Sequence, residues 1–298
     1  MAEHIDPASF NHKFATTCGY KYHYVEEGDP NGEPLLLVHG FPDLWYGWRH
    51  QIRYLAKQGY RVISPDCLGY GQSSNPHDSD EYSFKKICAH LAGLLDALNI
   101  PKVTLLGHDW GGAIVWRFGL HYPSRVHGII SVCTPYDPPV KEYVPLEEMV
   151  KKMPEFEYQV TLANPNSTPY FESILDTFMD GVGKMSYMAQ QDVDYMLAQY
   201  KNSGMQGPLN YYRTRKINFD EEKDLHRIIE APSALIVALR DPYLKPYLSE
   251  NMYKDVPNLK RVMIDTEHFA LTEKPDEINA LIKELLEDIK VGRVKSVL

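Results

Sequence analysis

Short apolar runs recur along the chain and alternate with stretches in which apolar side chains return every three or four residues. The runs lie at residues 35–38, 61–64, 103–106, 128–133, 234–239 and 261–265. Runs with so few polar interruptions are typical of strands in a parallel sheet that is covered on both faces. Helical spacing occurs at residues 46–57, 84–98, 111–121, 246–254 and 275–290. The alternation predicts an α/β fold with a doubly wound, mostly parallel sheet.

One region interrupts this alternation. Residues 138–219 contain no strand-like run, but they contain several amphipathic stretches rich in tyrosine, methionine and glutamine. The region falls between two predicted strands, and open α/β sheets bind their ligands beyond the carboxyl ends of the strands. We therefore predict a core made of residues 1–137 and 220–298, with a helical lid, residues 138–219, inserted over the active site.

Composition and charge narrow the classes of partner. The 298 residues are 44% hydrophobic, which suffices for one large domain with a substantial core. The formal net charge is -9 and no block of basic residues occurs, so nucleic acids and anionic membrane surfaces are not expected partners. No stretch reaches the roughly 20 apolar residues of a membrane span. The sequence leaves the oligomeric state open.

Targeting signals and cysteine spacing bear on location. The first ten residues, MAEHIDPASF, lack the apolar region of a secretory signal, and the four cysteines are scattered without a C-x-x-C pair. Such spacing favours reduced thiols over a disulfide framework or a zinc site. The last three residues, Ser-Val-Leu, lack the lysine of a peroxisomal signal. We therefore expect a cytoplasmic protein.

The stretch GHDWGG, residues 107–112, holds the candidate nucleophile. It lies between an apolar run and a helical stretch, as in the strand-turn-helix elbow of G-x-S-x-G hydrolases, but Asp109 takes the place of the serine. Glycines at 107 and 111 let the backbones of a tight turn approach each other. Asp109 is expected at the carboxyl end of the sheet; the alternative is an ordinary helix N-cap.

An aspartate in this position favours particular chemistry. A carboxylate is already ionised and attacks without a base, and the N-terminus of the following helix favours its negative charge. Its natural target is an electrophilic sp3 carbon, either an epoxide carbon or a carbon that bears a halogen. The product is an ester on the enzyme. Water must cleave that ester, so the site also needs a base, a group that orients the base, and oxyanion donors.

Candidates for these roles follow other predicted strands. His268 follows the run at 261–265 and is the candidate base, although a surface loop histidine is the alternative. Asp241 follows the run at 234–239 and is the candidate orienting acid, although Asp241-Pro242 also suits an Asx turn. The backbone N–H groups of Trp110 and Phe41 are the candidate oxyanion donors. The chain order nucleophile, acid, histidine is the order of α/β-hydrolase triads.

Five stretches together give the chain a family resemblance. HGFPDLWYGWRHQI (39–52), DCLGYGQSS (66–74), GHDWGG (107–112), GPLNYYR (207–213) and EHFALTEKPDE (267–277) resemble the soluble epoxide hydrolases of the α/β-hydrolase superfamily. The resemblance spans nearly the whole chain. It implies that an epoxide and water are converted to a vicinal diol through an ester on Asp109, which water activated by His268 hydrolyses. It implies no metal or organic cofactor. The apolar, aromatic-rich lid suggests that the epoxide is lipophilic.

The resemblance also implies two lid tyrosines that hydrogen-bond the epoxide oxygen. The matching residues are Tyr158, within FEYQ, and Tyr212, within LNYYR. Other tyrosines of the same region, Tyr170, Tyr187 and Tyr211, are the alternatives, and we expect them to pack within the lid.

Two departures from the family pattern stand out. Glu267 occupies the place of the glycine that usually precedes the histidine. It either raises the pKa of His268 or points to solvent. In addition, the resemblance covers the hydrolase module alone, and not the phosphatase domain that precedes it in some vertebrate members.

Two other classes share parts of this pattern. Haloalkane dehalogenases have the aspartate elbow and often a tryptophan at the place of Trp110, but they have no use for paired tyrosines. Dehalogenases of the fluoroacetate type share H-G-F-P but carry arginine after the nucleophile. A non-catalytic ligand receptor of this fold usually lacks a triad member, and here none is missing. The pattern favours the epoxide hydrolase and leaves the physiological substrate, the attacked carbon and the preferred enantiomer open.

Overall fold

The sheet has eight strands and forms the centre of the protein. The computed structural model describes residues 4–294, so the C-terminal Ser-Val-Leu lies outside the described residues. The strands are β1 His12–Thr17, β2 Tyr20–Gly28, β3 Pro34–Val38, β4 Arg61–Pro65, β5 Val103–His108, β6 Val126–Val132, β7 Ser233–Ala238 and β8 Leu259–Ile264.

The strand order is β1-β2-β4-β3-β5-β6-β7-β8. Strands β1, β2 and β4 pair antiparallel, and all pairs from β4 to β8 are parallel. Val38 pairs with Gly107, and His108 pairs with Val132. The carboxyl ends of β3, β5 and β6 therefore meet at one edge, and the loops that follow them lie side by side.

The predicted fold class is confirmed, and all six predicted strands are present within a few residues of their expected bounds. The hairpin β1–β2 was not predicted. Its strands lie at the antiparallel edge, and β1 has no continuous apolar run because most of its side chains are partly exposed. A prediction based on continuous apolar runs detects strands that are buried on both faces and passes over such edges.

Residues 4–294 form twelve α-helices around the sheet. They are α1 Arg49–Lys57, α2 Phe84–Ala97, α3 Trp110–His121, α4 Leu146–Lys152, α5 Tyr158–Ala163, α6 Ser167–Ser173, α7 Leu175–Met185, α8 Gln190–Ser203, α9 Gln206–Asn210, α10 Arg215–Glu222, α11 Ala270–Glu273 and α12 Pro275–Lys290. Every helix among residues 4–294 is too short or too polar to cross a bilayer.

The helix predicted at residues 246–254 is wrong. The segment forms two 3-10 turns, Pro246–Ser249 and Met252–Lys254. Each turn buries a single side chain, that of Ser249 or Met252. An amphipathic helix is stabilised mainly by packing a continuous apolar face, and this segment has none to pack.

Residues 138–219, called the helical insertion below, contain no strand and lie between β6 and β7. Helices α4 to α9 lie within them, and α10 extends just beyond. A buried ion pair fastens this region to the core, because Asp192 of α8 faces Arg49 of α1 at 2.9 Å. A second buried pair holds the end of α10 just beyond the insertion, where Glu222 faces Arg117 of α3 at 2.7 Å.

Candidate active site

Asp109 lies in the turn between β5 and α3, in a strained backbone conformation. Its φ is +53° and its ψ is -125°, a region that residues with a Cβ rarely adopt. The turn requires glycine at two places. A Cβ on Gly107 would lie 2.3 Å from the carbonyl oxygen of Gly111, and a Cβ on Gly111 would lie 2.0 Å from that of Val38. The turn thus presents the aspartate side chain beyond the sheet.

The carboxylate of Asp109 contacts the loop after β3 and the loop after β8. Its Oδ1 accepts a hydrogen bond of 2.6 Å from the backbone N–H of Phe41. Its Oδ2 lies 3.6 Å from Nε2 of His268. Although Asp109 occupies the N-cap position of α3, its side chain accepts no capping hydrogen bond from that helix. The N-cap alternative therefore does not account for this side chain.

His268 is buried between two carboxylates. Its Nδ1 donates a hydrogen bond of 2.8 Å to Oδ2 of Asp241, and its Nε2 faces Asp109. Asp109, His268 and Asp241 thus lie next to one another. They follow three different strands, β5, β8 and β7 respectively.

The charge of His268 is set by competing effects. Burial lowers the pKa of the imidazole, but the carboxylates of Asp241 and Asp109 outweigh it and raise the pKa to about 10. At neutral pH the ring is therefore an imidazolium. Loss of the Asp109 charge removes one of the two causes of this increase.

Asp241 makes both kinds of contact that its sequence context allowed. Its Oδ1 accepts hydrogen bonds from the backbone N–H groups of Tyr243 (2.8 Å) and Leu244 (2.9 Å), which is an Asx-type turn. Its Oδ2 accepts from His268. Burial raises the pKa of this carboxyl, but His268 and the two N–H groups outweigh it and leave the pKa below its ordinary value. The turn holds the carboxylate that orients the histidine.

Tyr158 and Tyr212 of the helical insertion lie near Asp109. Tyr158 begins α5 and Tyr212 lies in the 3-10 turn after α9, and their ring centroids are 6.3 Å apart. The Tyr212 ring also packs edge-on against Trp110 at 5.0 Å and Phe41 at 5.5 Å. Burial and the negative charge of Asp109 raise the pKa of both phenols. Both therefore keep their protons at neutral pH and remain hydrogen-bond donors.

The alternative tyrosines lie elsewhere. Tyr211 is buried, and its hydroxyl donates to the carbonyl oxygen of Leu68 at 3.0 Å. Tyr170 and Tyr187 are exposed, at 56% and 39%, so the expectation that they pack within the lid is wrong for these two.

Of the two predicted oxyanion donors, Phe41 alone contacts the carboxylate in the described structure. The Trp110 N–H makes no hydrogen bond among residues 4–294. A Cβ on Gly40 would lie 2.2 Å from Oδ1 of Asp109 and 2.6 Å from the Trp110 nitrogen. Glycine at this position therefore lets the loop after β3 close onto the elbow, with both N–H groups beside the carboxylate.

Comparisons with known proteins agree with this geometry. A family model described as alpha/beta hydrolase fold matches residues 33–275. The bifunctional epoxide hydrolase 2 of Mus musculus is 34% identical, and the match covers 98% of this chain but 58% of that relative. An epoxide hydrolase of Neurospora crassa is 32% identical over 95% of this chain and 89% of that protein. The chain belongs to the soluble epoxide hydrolases.

Solved structures of this family show the same fold. An epoxide hydrolase from Vigna radiata superposes with a TM-score of 0.87 and 25% identity, covering 95% of this chain and 100% of that one. The chain spans little more than half the length of the mammalian relatives it matches.

Sequence reasoning missed several residues next to the triad. His108 precedes the family's nucleophile position, and Cys133 follows β6; both are buried. Thr134 donates a hydrogen bond of 2.7 Å to the carbonyl oxygen of Asp109. Tyr243 packs between His268 and Tyr158, with ring centroids 5.5 Å and 5.0 Å away. The signal for His108 was its place in GHDWGG, whereas nothing local distinguished the other residues.

Glu267, the departure from the family pattern, points away from the triad. Its carboxylate accepts a hydrogen bond of 3.0 Å from exposed Arg240 and is itself 44% exposed. The increase in the pKa of His268 comes from Asp241 and Asp109. Of the two alternatives for this residue, the solvent-facing one holds.

Proposed function

We propose that this chain hydrolyses lipophilic epoxides to vicinal diols through a covalent ester on Asp109. One observation carries the proposal: the Asp109 carboxylate faces a histidine paired with Asp241, and its charge acts on the protonated phenols of Tyr158 and Tyr212. The histidine suits ester hydrolysis, and the phenols suit an oxygen that gains negative charge. Family membership supports the same reaction.

In the first step an Asp109 oxygen attacks an epoxide carbon. The carbon–oxygen bond of the ring breaks, and its electron pair remains on the epoxide oxygen. Tyr158 and Tyr212 donate hydrogen bonds to that oxygen and supply its proton, which solvent later returns to the phenol. The intermediate is a hydroxyalkyl ester of Asp109. Because the carboxylate is consumed, the site loses one negative charge.

In the second step His268 acts as the base. The ester no longer carries the Asp109 charge, so the pKa of the imidazole falls and the ring can release its proton. Nε2 then takes a proton from water, and the hydroxide adds to the ester carbonyl carbon. The N–H groups of Phe41 and Trp110 stabilise the oxyanion. Collapse breaks the ester C–O bond, and the imidazolium of His268 gives its proton to the alkoxide of the leaving diol. The carboxylic acid left on Asp109 then passes its proton to Nε2, which restores the carboxylate and the imidazolium.

Aromatic side chains around the carboxylate support a lipophilic substrate. The Phe178 ring of α7 stacks on Phe41 at 5.9 Å, and Tyr212 and Trp110 adjoin them. Pockets for small ligands are lined mostly by apolar groups with a few placed donors. The aromatic set supplies the apolar surface, and the two phenols supply the donors.

Single-turnover reactions in 18O-labelled water test the covalent route. With enzyme in excess over aryl or alkyl epoxides, the first diol should be unlabelled because its new oxygen comes from Asp109. Asp109→Ala is the blank and should form no diol. Direct incorporation of label into the first diol would show that water, and not the carboxylate, attacks the epoxide.

Intact mass spectrometry of His268→Gln separates the two steps. This variant should accumulate an adduct whose mass equals that of the epoxide, since alkylation needs no base. Absence of the adduct with every epoxide that the wild type converts would contradict the assigned roles. Release of chloride from 1-chlorobutane or of fluoride from fluoroacetate, without diol formation from epoxides, would instead favour a dehalogenase.

We further propose that residues 138–219 act as the lid of this site, with 1–137 and 220–298 as the core. The support is that Tyr158 and Tyr212, which would donate to the epoxide oxygen, both lie in the insertion. The double variant Tyr158→Phe with Tyr212→Phe should form the ester about a thousandfold more slowly, because the developing alkoxide loses both donors. Ester formation at the wild-type rate would show that the insertion plays no part in the chemistry.

We also propose a cytoplasmic location. All four cysteines are free, and three of them are buried, which suits a reducing compartment. Fractionation of cells that express the chain checks this: recovery with a membrane or secreted fraction would contradict it.

A further inference from the structure

Two buried side chains hydrogen-bond the backbone carbonyl of His268. Nε2 of His108 donates to this oxygen at 2.8 Å. Sγ of Cys133 donates to the same oxygen at 3.4 Å. Neither residue has a part in the reaction steps above, and both are at most 3% exposed.

The two donors come from the strands next to the nucleophile. His108 ends β5 and directly precedes Asp109, and Cys133 directly follows β6. Cys133 has a φ of +67°, a conformation that few residues with a Cβ adopt, so this turn is strained as the elbow is. The nucleophile and the base are thereby tied to the same two strand ends.

Both side chains are in the protonation state that such donation requires. Burial and the positive charge of His268 lower the pKa of His108 to about 4, so its ring is neutral at pH 7. A neutral ring that donates from Nε2 leaves Nδ1 as an acceptor, and Nδ1 has no partner among the described residues. Burial and the carboxylates of Asp241 and Asp109 raise the pKa of Cys133, so its thiol keeps its proton.

His108, Cys133 and His268 also form a cluster of side chains of the types that bind metal ions. Ligand atoms of His108, Cys133 and His268 lie within 4.8 Å of one another. A metal ligand must be deprotonated, however, and the raised pKa of Cys133 opposes that. The three groups already have hydrogen-bond partners in the positions that the structure shows. The contacts therefore favour a different role.

We propose that His108 and Cys133 are positioning residues for the base, since their hydrogen bonds to the His268 carbonyl hold Nε2 at its distance from Asp109. The inference rests on the proposed function. Asp241 fixes the direction of the ring, but the ring can move with its backbone unless the carbonyl is held. Small displacements of a catalytic group cost large factors in rate. The second step, in which His268 takes the proton, should depend on this restraint more than the first.

The test compares variants of His108 in single-turnover reactions. Rapid quenching and intact mass spectrometry give the rates of ester formation and ester decay separately. His108→Leu removes the donor and should slow decay about tenfold, with formation changed less than about twofold. His108→Gln keeps an N–H near the position of Nε2 and should restore most of the decay rate. Cys133→Ala should have a smaller effect, about threefold, because a thiol is a weak donor.

Controls separate positioning from general loss of packing. His90→Leu removes another buried histidine, whose ring bonds the hydroxyl of Tyr22 away from the triad. It should leave the ratio of the two rates unchanged. If His108→Leu does not fold, His108→Asn serves in its place because its shorter side chain does not reach the carbonyl. A proton NMR resonance of the His268 Nδ1–H should shift in the donor-free variant and return in His108→Gln.

Three results would overturn the inference. They are equal slowing of both steps by His108→Leu, a decay rate of His108→Gln as slow as that of His108→Leu, or an unmoved His268 resonance. Failure of the proposed function is distinguishable, because the wild type itself would then form neither ester nor diol.

Discussion

Two buried carboxylates of this protein have cationic partners of different kinds. Asp241, in the site, is 1% exposed and bonds His268. Asp192, where the helical insertion meets the core, is 0% exposed and bonds Arg49, which is also 0% exposed. A guanidinium stays charged throughout the range in which proteins fold, whereas an imidazole can release its proton. The Asp241–His268 pair can take part in proton transfer, whereas the Asp192–Arg49 pair can only stabilise the structure.

The neighbours of each carboxylate fit this difference. Asp241 takes two further hydrogen bonds from backbone N–H groups of its own turn. Asp192 takes further bonds from the Tyr46 hydroxyl at 2.8 Å and from His4 at 2.5 Å, both distant in the chain. Neither burial nor a histidine partner by itself marks a catalytic carboxylate, because Asp192 has both. The mark of Asp241 is that its histidine, His268, also faces Asp109.

The largest expected effect comes from Asp241→Asn. The amide cannot stabilise an imidazolium and no longer enforces the tautomer of His268, so ester decay should slow by about 10³- to 10⁴-fold. Ester formation should change much less because it needs no base. Single-turnover mass spectrometry measures both. A variant in which both steps slow equally would place Asp241 in the structural class with Asp192.

Loss of the ion pair between Asp192 and Arg49 should lower the stability of the protein and leave the rates of ester formation and decay unchanged. Asp192→Ala leaves Arg49 charged and buried without its partner and should lower the free energy of unfolding by about 3 to 5 kcal/mol. Replacing both residues by apolar ones of similar volume, Asp192→Leu with Arg49→Met, should recover most of this loss. Urea unfolding measures these differences.

The matched control for that loss is Lys141→Ala, which breaks an exposed pair with Asp224. It should change stability by less than about 1 kcal/mol. A fall in the ester decay rate of folded Asp192→Ala as large as that of Asp241→Asn would erase the distinction between the two carboxylates.

The pH dependence of stability should follow the titratable pair. The folded-state pKa of His268, about 10, exceeds the unfolded value of about 6.5. The stabilisation is therefore full below pH 6.5 and is lost as the pH rises from there through about 10. Wild type should lose about 1 to 3 kcal/mol more than His268→Gln between pH 7 and 10. If the urea midpoints of the wild type and of His268→Gln change equally between pH 7 and 10, His268 is not held as a cation.

The smallest expected effect concerns Glu267. Because this carboxylate faces exposed Arg240, Glu267→Gln should leave ester decay within about twofold and stability within about 1 kcal/mol of the wild type. An NMR titration of His268 should give the same pKa in both proteins. A clear decrease in the variant would mean that Glu267 acts on the base after all.

The central strands, the elbow and the helical insertion could be predicted because each depends on local pattern. Strand β5 and helix α3 show it best: an apolar run, two glycines that the turn requires, and an apolar helix. The antiparallel hairpin at the sheet edge and the 3-10 turns at 246–254 could not be predicted in this way. Strand β1 and the turns are partly exposed and lack the pattern that burial imposes. Strand β2 is largely buried, but the polar residues His23 and Glu26 interrupt its apolar run.

Within the site, chain order and motifs were enough to name residues that the structure places together. Asp109, Asp241 and His268 follow separate strands, and the fold brings those strand ends together. The donation of His108 and Cys133 to one carbonyl depends on contacts between residues 160 and 135 positions apart. So does the pair of Arg49 and Asp192, which are 143 positions apart. No local pattern reports such contacts.

The amino-acid sequence by itself determined the chemical groups available: a carboxylate where related folds carry serine, a histidine after the last strand, and tyrosines in the inserted helices. Only the tertiary structure decided their charges and distances. The pKa of His268 near 10 and the 3.6 Å between its Nε2 and Asp109 exist because folding buries the ring between two carboxylates. Burial and Coulomb interactions depend on what surrounds a group in space, and neighbours in space are mostly distant in sequence.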